Sequence, residues 1–292
     1  MRKSLRATLQ QGECRVMVGA FNGLVGRAVA ESGFDACYVS GACVCASAGQ
    51  PDIGLLSYEQ FCRTISEVSL SSGLPVLADA DTGFGEEEMV AKTVCEYYRA
   101  GAGGFHMEDQ VFPKRCGHLA DKKLIPLEHM VAKVRMAAQA RDQFTGGDFV
   151  VCARTDAVGV EGLEAAIARA SAYVDAGADM IFPDGLSSEA EFEAFGQALG
   201  SRTFLLGNMT EFGRTPLISV ERFKAMGYHL VMFPVSTLRI AMKAVTDFLQ
   251  ELKTAGTQAG AVDRMQTRQQ LYSLLHYTPG QTWNYPTPSK PS

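Results

Sequence analysis

The sequence predicts a (β/α)8 barrel of the TIM type. Short β-rich runs recur eight times, segments of helical period separate them, and several helices end in Ala-Gly or Ser-Gly just before the next run. Strand interiors that are nearly continuously apolar imply a parallel sheet covered by helices on its outer face.

The first run, VMVGA (16–20), is not followed by the glycine fingerprint of a dinucleotide fold, which argues against a doubly wound sheet. ACYVSG (36–41), VLADAD (76–81), GFHMED (104–109) and FVVCART (149–155) supply the next four strands. MIFPD (180–184), FLLGNM (204–209) and LVMFPVS (230–236) supply the last three. Between the fifth and sixth strands, GLEAAIARASAYVDAGADM sets Leu163, Ala166, Ile167, Ala170, Tyr173 and Val174 on one helical stripe. The stretches SSGLPV, RAGAGGF and DAGADM place glycine where a helix ends. One domain over residues 1–277 is expected, its C-terminal helical extension lying at about 258–276. Residues 278–292, ending NYPTPSKPS, read as a flexible tail.

The formal net charge of -5 lacks the basic excess that binding a phosphate backbone requires, so nucleic acid is excluded as a partner. No run approaches the roughly 18 apolar residues of a membrane span, and no membrane partner is expected. The eight cysteines form no CxxC pair or disulfide framework, which suits a reducing cytosol and predicts a cytoplasmic protein.

Active sites of such barrels form at the C-terminal ends of the strands, so the polar residues there carry the functional reading. Asp79 and Asp81 are two apart and are expected on one strand face, where they would repel each other unless a cation lay between them. A hard divalent ion such as Mg2+ fits that need; helix capping by one aspartate is the structural alternative. Glu108, Asp109, Arg154 and Asp184 end three further strands, and acids converging with an arginine suit a metal together with a carboxylate substrate. His106 shares a face with Glu108 and fits either a supporting or a core role. The small-residue turn SGACVCASAG offers backbone N–H groups to an anion, or simply close packing. Asn208 and Thr210 offer neutral hydrogen bonds, or simply shape a loop. Cys116 lies in FPKRCGHLADKK, where Lys114, Arg115 and His118 would favour its thiolate; an inert cysteine is the alternative.

Taken together, YVSG, PDIGLLS, DADTGFG, HMEDQ, KRCGH, ARTDA, NMTEFG and MQTR resemble the isocitrate lyase/phosphoenolpyruvate mutase superfamily, and within it the 2-methylisocitrate lyase branch. The resemblance runs in order from about residue 15 to 272. It implies a barrel whose last helix is exchanged between the subunits of a homotetramer, Mg2+ with Mn2+ as a possible substitute, and carbon–carbon cleavage of a di- or tricarboxylic 2-hydroxy acid. It implies Asp79 as direct metal ligand, with Asp81 and Glu108 holding metal-bound waters. Ser40, Gly41, Ala42 and Asp52 would surround the keto-acid end, Arg154 its carboxylate, and Gly117 and His118 would close over it. Asn208, Thr210, Arg239 and Arg268 would face the succinate-like half. Cys116 would be the general acid, with Arg154, His118 and Asp184 completing the catalytic set. Two positions depart from that branch: Asp184 stands where Glu follows FP, and Ala42 replaces the second glycine of SGG. Isocitrate lyase proper carries a large helical insertion for which this length leaves little room, and the phosphonopyruvate branch typically lacks the KRCGH cysteine.

Overall fold

The computed structural model describes residues 3–114 and 122–284. The chain runs α1 (Leu5–Leu9), β1 (Arg15–Gly19), α2 (Gly23–Glu31), β2 (Ala36–Val39), α3 (Gly41–Ser47), α4 (Tyr58–Ser72), β3 (Val76–Asp79), α5 (Glu87–Ala100) and β4 (Gly104–Glu108). It continues through α6 (Leu127–Thr145), β5 (Val150–Thr155), α7 (Val158–Glu161), α8 (Leu163–Asp175), β6 (Met180–Pro183), α9 (Glu189–Leu199), β7 (Phe204–Asn208) and α10 (Val220–Ala225). β8 (Leu230–Phe233), α11 (Ser236–Ala255), a 3-10 turn (Ala259–Arg264) and α12 (Arg268–Leu274) complete it. The strands follow chain order around a closed barrel, every pair parallel, and β1 closes on β8 through Arg15–Leu230 and Val16–Val231.

All eight predicted strands are present at their predicted places. Their apolar runs are explained by burial on both faces. Residues of one parity, among them Val18, Val39, Phe105, Val151 and Ile181, pack outward against the helices. Residues of the other parity, including Met17, Tyr38, Leu77, Cys152 and Phe182, fill the barrel interior. Leu5 and Leu9 of α1 join that interior cluster. Outside the sheet, Phe105 packs edge-on against both Tyr97 and Phe149, and each fully buried aromatic of this kind contributes roughly 2 to 3 kcal/mol.

The expected glycine caps appear where α4 and α5 end. Gly73 (φ 66°) and Gly101 (φ 112°) take the left-handed conformation that terminates each helix cheaply. In the DAGADM stretch the cap residue is Ala176, and Gly177 follows at φ 109°. The C-terminal extension resolves into the 3-10 turn and α12, with the Trp283 indole donating to the Leu275 carbonyl. Residues 285–292 of the expected tail lie outside the described residues. Among the described residues, no helix is long and apolar enough to cross a membrane.

Gly196, inside α9, marks the closest approach of helix to loop: a Cβ there would stand 1.8 Å from the Met226 carbonyl oxygen. Alanine is ordinarily the better helix residue by roughly 1 kcal/mol. Here the contact wins, so Gly196→Ala is expected to lower the unfolding free energy by about 2 kcal/mol in a urea titration. An unchanged or raised stability would show that α9 is free to shift.

Candidate active site

The alternation that fills the barrel also builds its mouth. Interior parity carries Tyr38 on to Ser40, Leu77 to Asp79, Cys152 to Arg154, Phe182 to Asp184 and Leu206 to Asn208. On β4 the same parity holds His106 and Glu108, both buried. Ser40, Ala42, Asp52, Asp79, Lys114, Arg154, Asp184, Asn208 and Thr210 line one cavity of about 80 Å³ at this end.

Arg154 is the hub. Its Nε and Nη2 donate to the two oxygens of Asp156 at 2.9 and 3.1 Å. Nη2 also lies 2.7 Å from Asp184, and Nη1 lies 3.2 Å from Glu108. Asn208 Nδ2 donates to the other Asp184 oxygen at 3.0 Å. A planar guanidinium, always charged, suits such a shared position better than an ammonium.

Asp79 is held by two backbone donors, Asp81 N–H on Oδ1 and Gly41 N–H on Oδ2, each at 3.0 Å. This approach explains the glycine: a Cβ at Gly41 would stand 2.7 Å from Asp79 Oδ2. Lys114, only 3% exposed, places its ammonium 2.6 Å from Asp52 and 2.9 Å from Asp81. Beneath the acids, the Tyr38 hydroxyl and His106 Nε2 share a 2.6 Å hydrogen bond.

Burial drives His106 down to about 4, so the ring is neutral at pH 7 despite the pull of Asp79. Burial also opposes ionisation of Asp79, but the neighbouring His106, Lys114 and Arg154 and the Asp81 N–H outweigh it and keep that carboxyl below the usual range. Since His106 is neutral, the positive charge that matters to Asp79 at pH 7 comes from Lys114 and Arg154. Burial and the Asp79 charge raise Asp81 to about 6, with Lys114 working against them. Burial raises Glu108 well above the carboxylate range, against Arg154 and Lys114. Burial works against the Lys114 charge, yet the surrounding acids, Glu108 foremost, more than restore it.

A phosphoenolpyruvate phosphomutase family profile matches residues 5–253. The chain belongs to that family. It is 48% identical over 276 residues to a protein named probable 2-methylisocitrate lyase 1 from Corynebacterium glutamicum, covering 94% of this chain and 89% of the relative. It is 39% identical over 277 residues to 2-methylisocitrate lyase of Escherichia coli, covering 94% and 92%. Among solved structures, 2,3-dimethylmalate lyase superposes with a TM-score of 0.86 at 40% identity, covering 92% of this chain and 89% of that one. Oxaloacetate acetylhydrolase in complex with 3,3-difluorooxalacetate superposes with a TM-score of 0.88 at 37% identity, covering 94% and 92%. The relatives over nearly the whole chain group it with the carbon–carbon lyases of the superfamily that the resemblance indicated.

Within this family member several expectations change. Asp81 does not share a strand face with Asp79, because β3 ends at Asp79 and Asp81 turns to φ 47°. Its carboxylate returns to the cluster through Lys114 instead. Neither aspartate caps α5, whose N-cap is Glu86. Asp109 leaves the site by strand alternation and accepts from Thr155 Oγ1, Tyr173 OH and the Asp156 N–H. The Gly41 N–H is spent on Asp79, so it is not open to an anion. Lys114 commits its charge to Asp52 and Asp81. Arg239 pairs with Glu211 at 3.4 Å, beside the loop after β7, and Arg268 stands exposed at the start of α12; neither lines the cavity. Cys116, Gly117 and His118 lie outside the described residues.

Sequence reasoning misses three contributors, Tyr38 within an apolar strand and the pair Asp156 and Lys122, and for a fourth, Lys114, it reads the charge but not the direction. Asp156 had a usable signal, since it stands two residues beyond Arg154, where a strand-end carboxylate can fork the guanidinium.

The donor set suits a hard cation. Both Glu108 oxygens and Asp81 Oδ1 are buried and meet only ion-pair contacts among the described residues, Arg154 Nη1 3.2 Å from Glu108 Oε2 and Lys114 Nζ 2.9 Å from Asp81 Oδ1. Among the described residues, six carboxylates (Asp52, Asp79, Asp81, Glu108, Asp156, Asp184) surround three cations (Lys114, Lys122, Arg154), an excess of negative charge. Among the described residues, no group of three or more His, Cys, Asp or Glu side chains is arranged to hold an ion directly. An ion that keeps most of its waters, as Mg2+ does, needs only one or two direct carboxylates.

His106 makes a pH prediction. Its folded-state value of about 4 lies below the ordinary 6.5, so between those values the unfolded chain binds the extra proton and stability rises with pH. This contribution is complete above pH 6.5 and lost below pH 4, and amounts to about 3 kcal/mol. Urea titrations across that range should show wild type losing about that much more stability than His106→Gln; parallel losses would contradict the buried neutral ring.

Proposed function

We propose that the chain is a Mg2+-dependent lyase that cleaves 2-methylisocitrate to pyruvate and succinate, a step of propionate catabolism. The observation that carries this reading is the buried Arg154 set among excess carboxylates at the barrel mouth, in a chain whose relatives bear that enzyme's name. Asp79 would hold the ion, with Asp81 and Glu108 accepting hydrogen bonds from its waters; Mn2+ would be a workable substitute. When bound, the ion supplies a Lewis acid for the oxygen that becomes negative at C2.

Arg154 would bind the carboxylate that ends in pyruvate, with Ser40, Gly41, Ala42 and Asp52 around the same end. Asp184, oriented by Arg154 and Asn208, would accept the C2 hydroxyl proton. As that proton leaves, the C2–C3 bond breaks, C2 becomes the ketone, and the electron pair spreads from C3 into its carboxylate. Cys116 would return a proton to C3, releasing succinate, with Gly117 and His118 beside it. The other seven thiols are unsuited to that work. Burial raises Cys37, Cys43 and Cys45 to about 12 and lifts Cys14, Cys62, Cys95 and Cys152 as well. Asn208 and Thr210, which line the cavity, would serve the succinate-like half. Free thiols throughout the described residues suit a reducing compartment, and we assign the cytoplasm.

A sister activity on 2,3-dimethylmalate or oxaloacetate is favoured by Ala42 and Asp184, both lining the cavity where the branch carries Gly and Glu. A Mg2+-dependent keto-acid assay across 2-methylisocitrate, isocitrate, 2,3-dimethylmalate and oxaloacetate separates the two. Fastest release from 2-methylisocitrate is expected, while cleavage of none by folded protein would sink the lyase reading. Cys116→Ser is expected to keep substrate binding and lose at least about a hundredfold in kcat. Turnover near wild type in that variant would remove Cys116 as the acid.

The homotetramer and exchanged helix find support in α11. Every other helix of eight or more residues buries side chains on the barrel, whereas α11 buries none. Met242, Val245 and Leu249 form an exposed stripe along it. We assign this face to a second copy of the chain. Val245→Glu combined with Leu249→Glu should shift the mass measured by light scattering from tetramer to smaller species, and an unchanged mass would refute the assignment.

A further inference from the structure

We propose that Lys122 and Asp156 are positioning residues for Arg154. Asp156 clamps the Nε/Nη2 edge of the guanidinium, and Lys122 shares the Asp156 charge so that the remainder of Arg154 stays electropositive toward a substrate carboxylate. The inference rests on the reading of Arg154 as the keto-acid clamp.

The geometry is a chain of alternating charges. Lys122 Nζ donates to Asp156 Oδ1 at 2.9 Å, and that same oxygen accepts from Arg154 Nη2 at 3.1 Å. The second Asp156 oxygen takes Arg154 Nε at 2.9 Å. Both carboxylate oxygens are thus committed, and the fork leaves the guanidinium no freedom to rotate away. Asp156 is itself fixed from behind, its N–H donating to Asp109 Oδ1 at 2.9 Å. Asp109 is held in turn by Thr155 Oγ1 and Tyr173 OH, each at 2.8 Å. A rigid buried support of this kind is what sets the aim of a binding group.

Stability alone does not explain the lysine. The Lys122 side chain is 5% exposed and Asp156 is fully buried. Removing one partner of a buried ion pair destabilises when it leaves an uncompensated charge, but Asp156 would keep its two-bond fork to Arg154 without Lys122. What Lys122 adds is charge balance. Without it, Asp156 would neutralise Arg154 alone, and Arg154 also faces Asp184 and Glu108. A substrate carboxylate would then meet a more fully compensated cation.

The test compares wild type with Lys122→Met, Lys122→Arg and Asp156→Asn. For each, KM and kcat on 2-methylisocitrate with Mg2+, pyruvate affinity by calorimetry and Tm are measured. Lys122→Met is expected to raise KM and the pyruvate Kd about tenfold while kcat stays within about twofold, and Lys122→Arg to restore both. Asp156→Asn is expected to weaken pyruvate binding at least as much. A lower Tm with unchanged KM and pyruvate Kd would reduce the pair to a structural ion bridge and overturn the proposal, as would a fall in kcat at constant KM. A wild type that neither cleaves 2-methylisocitrate nor binds pyruvate would overturn the lyase reading and this inference together. Active wild type with unaffected variants overturns the inference alone.

Discussion

Carboxylates buried together at the mouth of a barrel repel one another and lose their hydration, and neither cost is met unless cations are held among them. Arg154 meets most of it here, touching Asp156, Asp184 and Glu108 at once, while Lys114 draws Asp52 and Asp81 inward from two different loops. Much else at the rim follows from this arrangement. Gly41 is glycine because Asp79 presses against its Cα, and Asp109 is turned away to brace the Asp156 peptide. Asp81 accepts a left-handed backbone to bring its carboxylate to Lys114.

Among the described residues the charges do not balance, and that imbalance links structure to chemistry. Glu108 and Asp81 are pushed upward by burial and carry oxygens with no hydrogen bond, whereas Asp79 is held ionised by two backbone donors and nearby cations. One carboxylate prepared to bind directly and two left to accept hydrogen bonds from water describe a site suited to a hydrated hard ion. The same ion would stabilise negative charge where a 2-hydroxy acid breaks its carbon–carbon bond, and Arg154, which lines the same cavity as Asp79, would share the load.

Much of this was legible in the sequence because two periodicities carry the information. Period two within each strand assigned Asp79, Glu108, Arg154 and Asp184 to strand ends, and apolar runs in both registers announced strands buried on both faces. What escaped was whatever backbone turns decide. Asp79 and Asp81 looked like neighbours on one face until the strand stopped between them. Lys114 sits in a segment without periodicity, so nothing local indicated that its side chain points into the acids. Asp109 counted with Glu108 among the converging strand-end acids, although alternation alone sends adjacent residues to opposite faces. For α11 only the family resemblance pointed to a partner subunit, since a sequence pattern shows that a face is apolar but not what covers it.

The central claim is that this buried cluster is completed by one divalent cation. Isothermal titration of Mg2+ into the metal-stripped protein near neutral pH tests it most directly, with Asp79→Asn as the comparison. One ion per chain is predicted to bind to wild type, with binding abolished or greatly weakened in the variant. No binding heat at millimolar Mg2+, or equal binding by Asp79→Asn, would contradict the account.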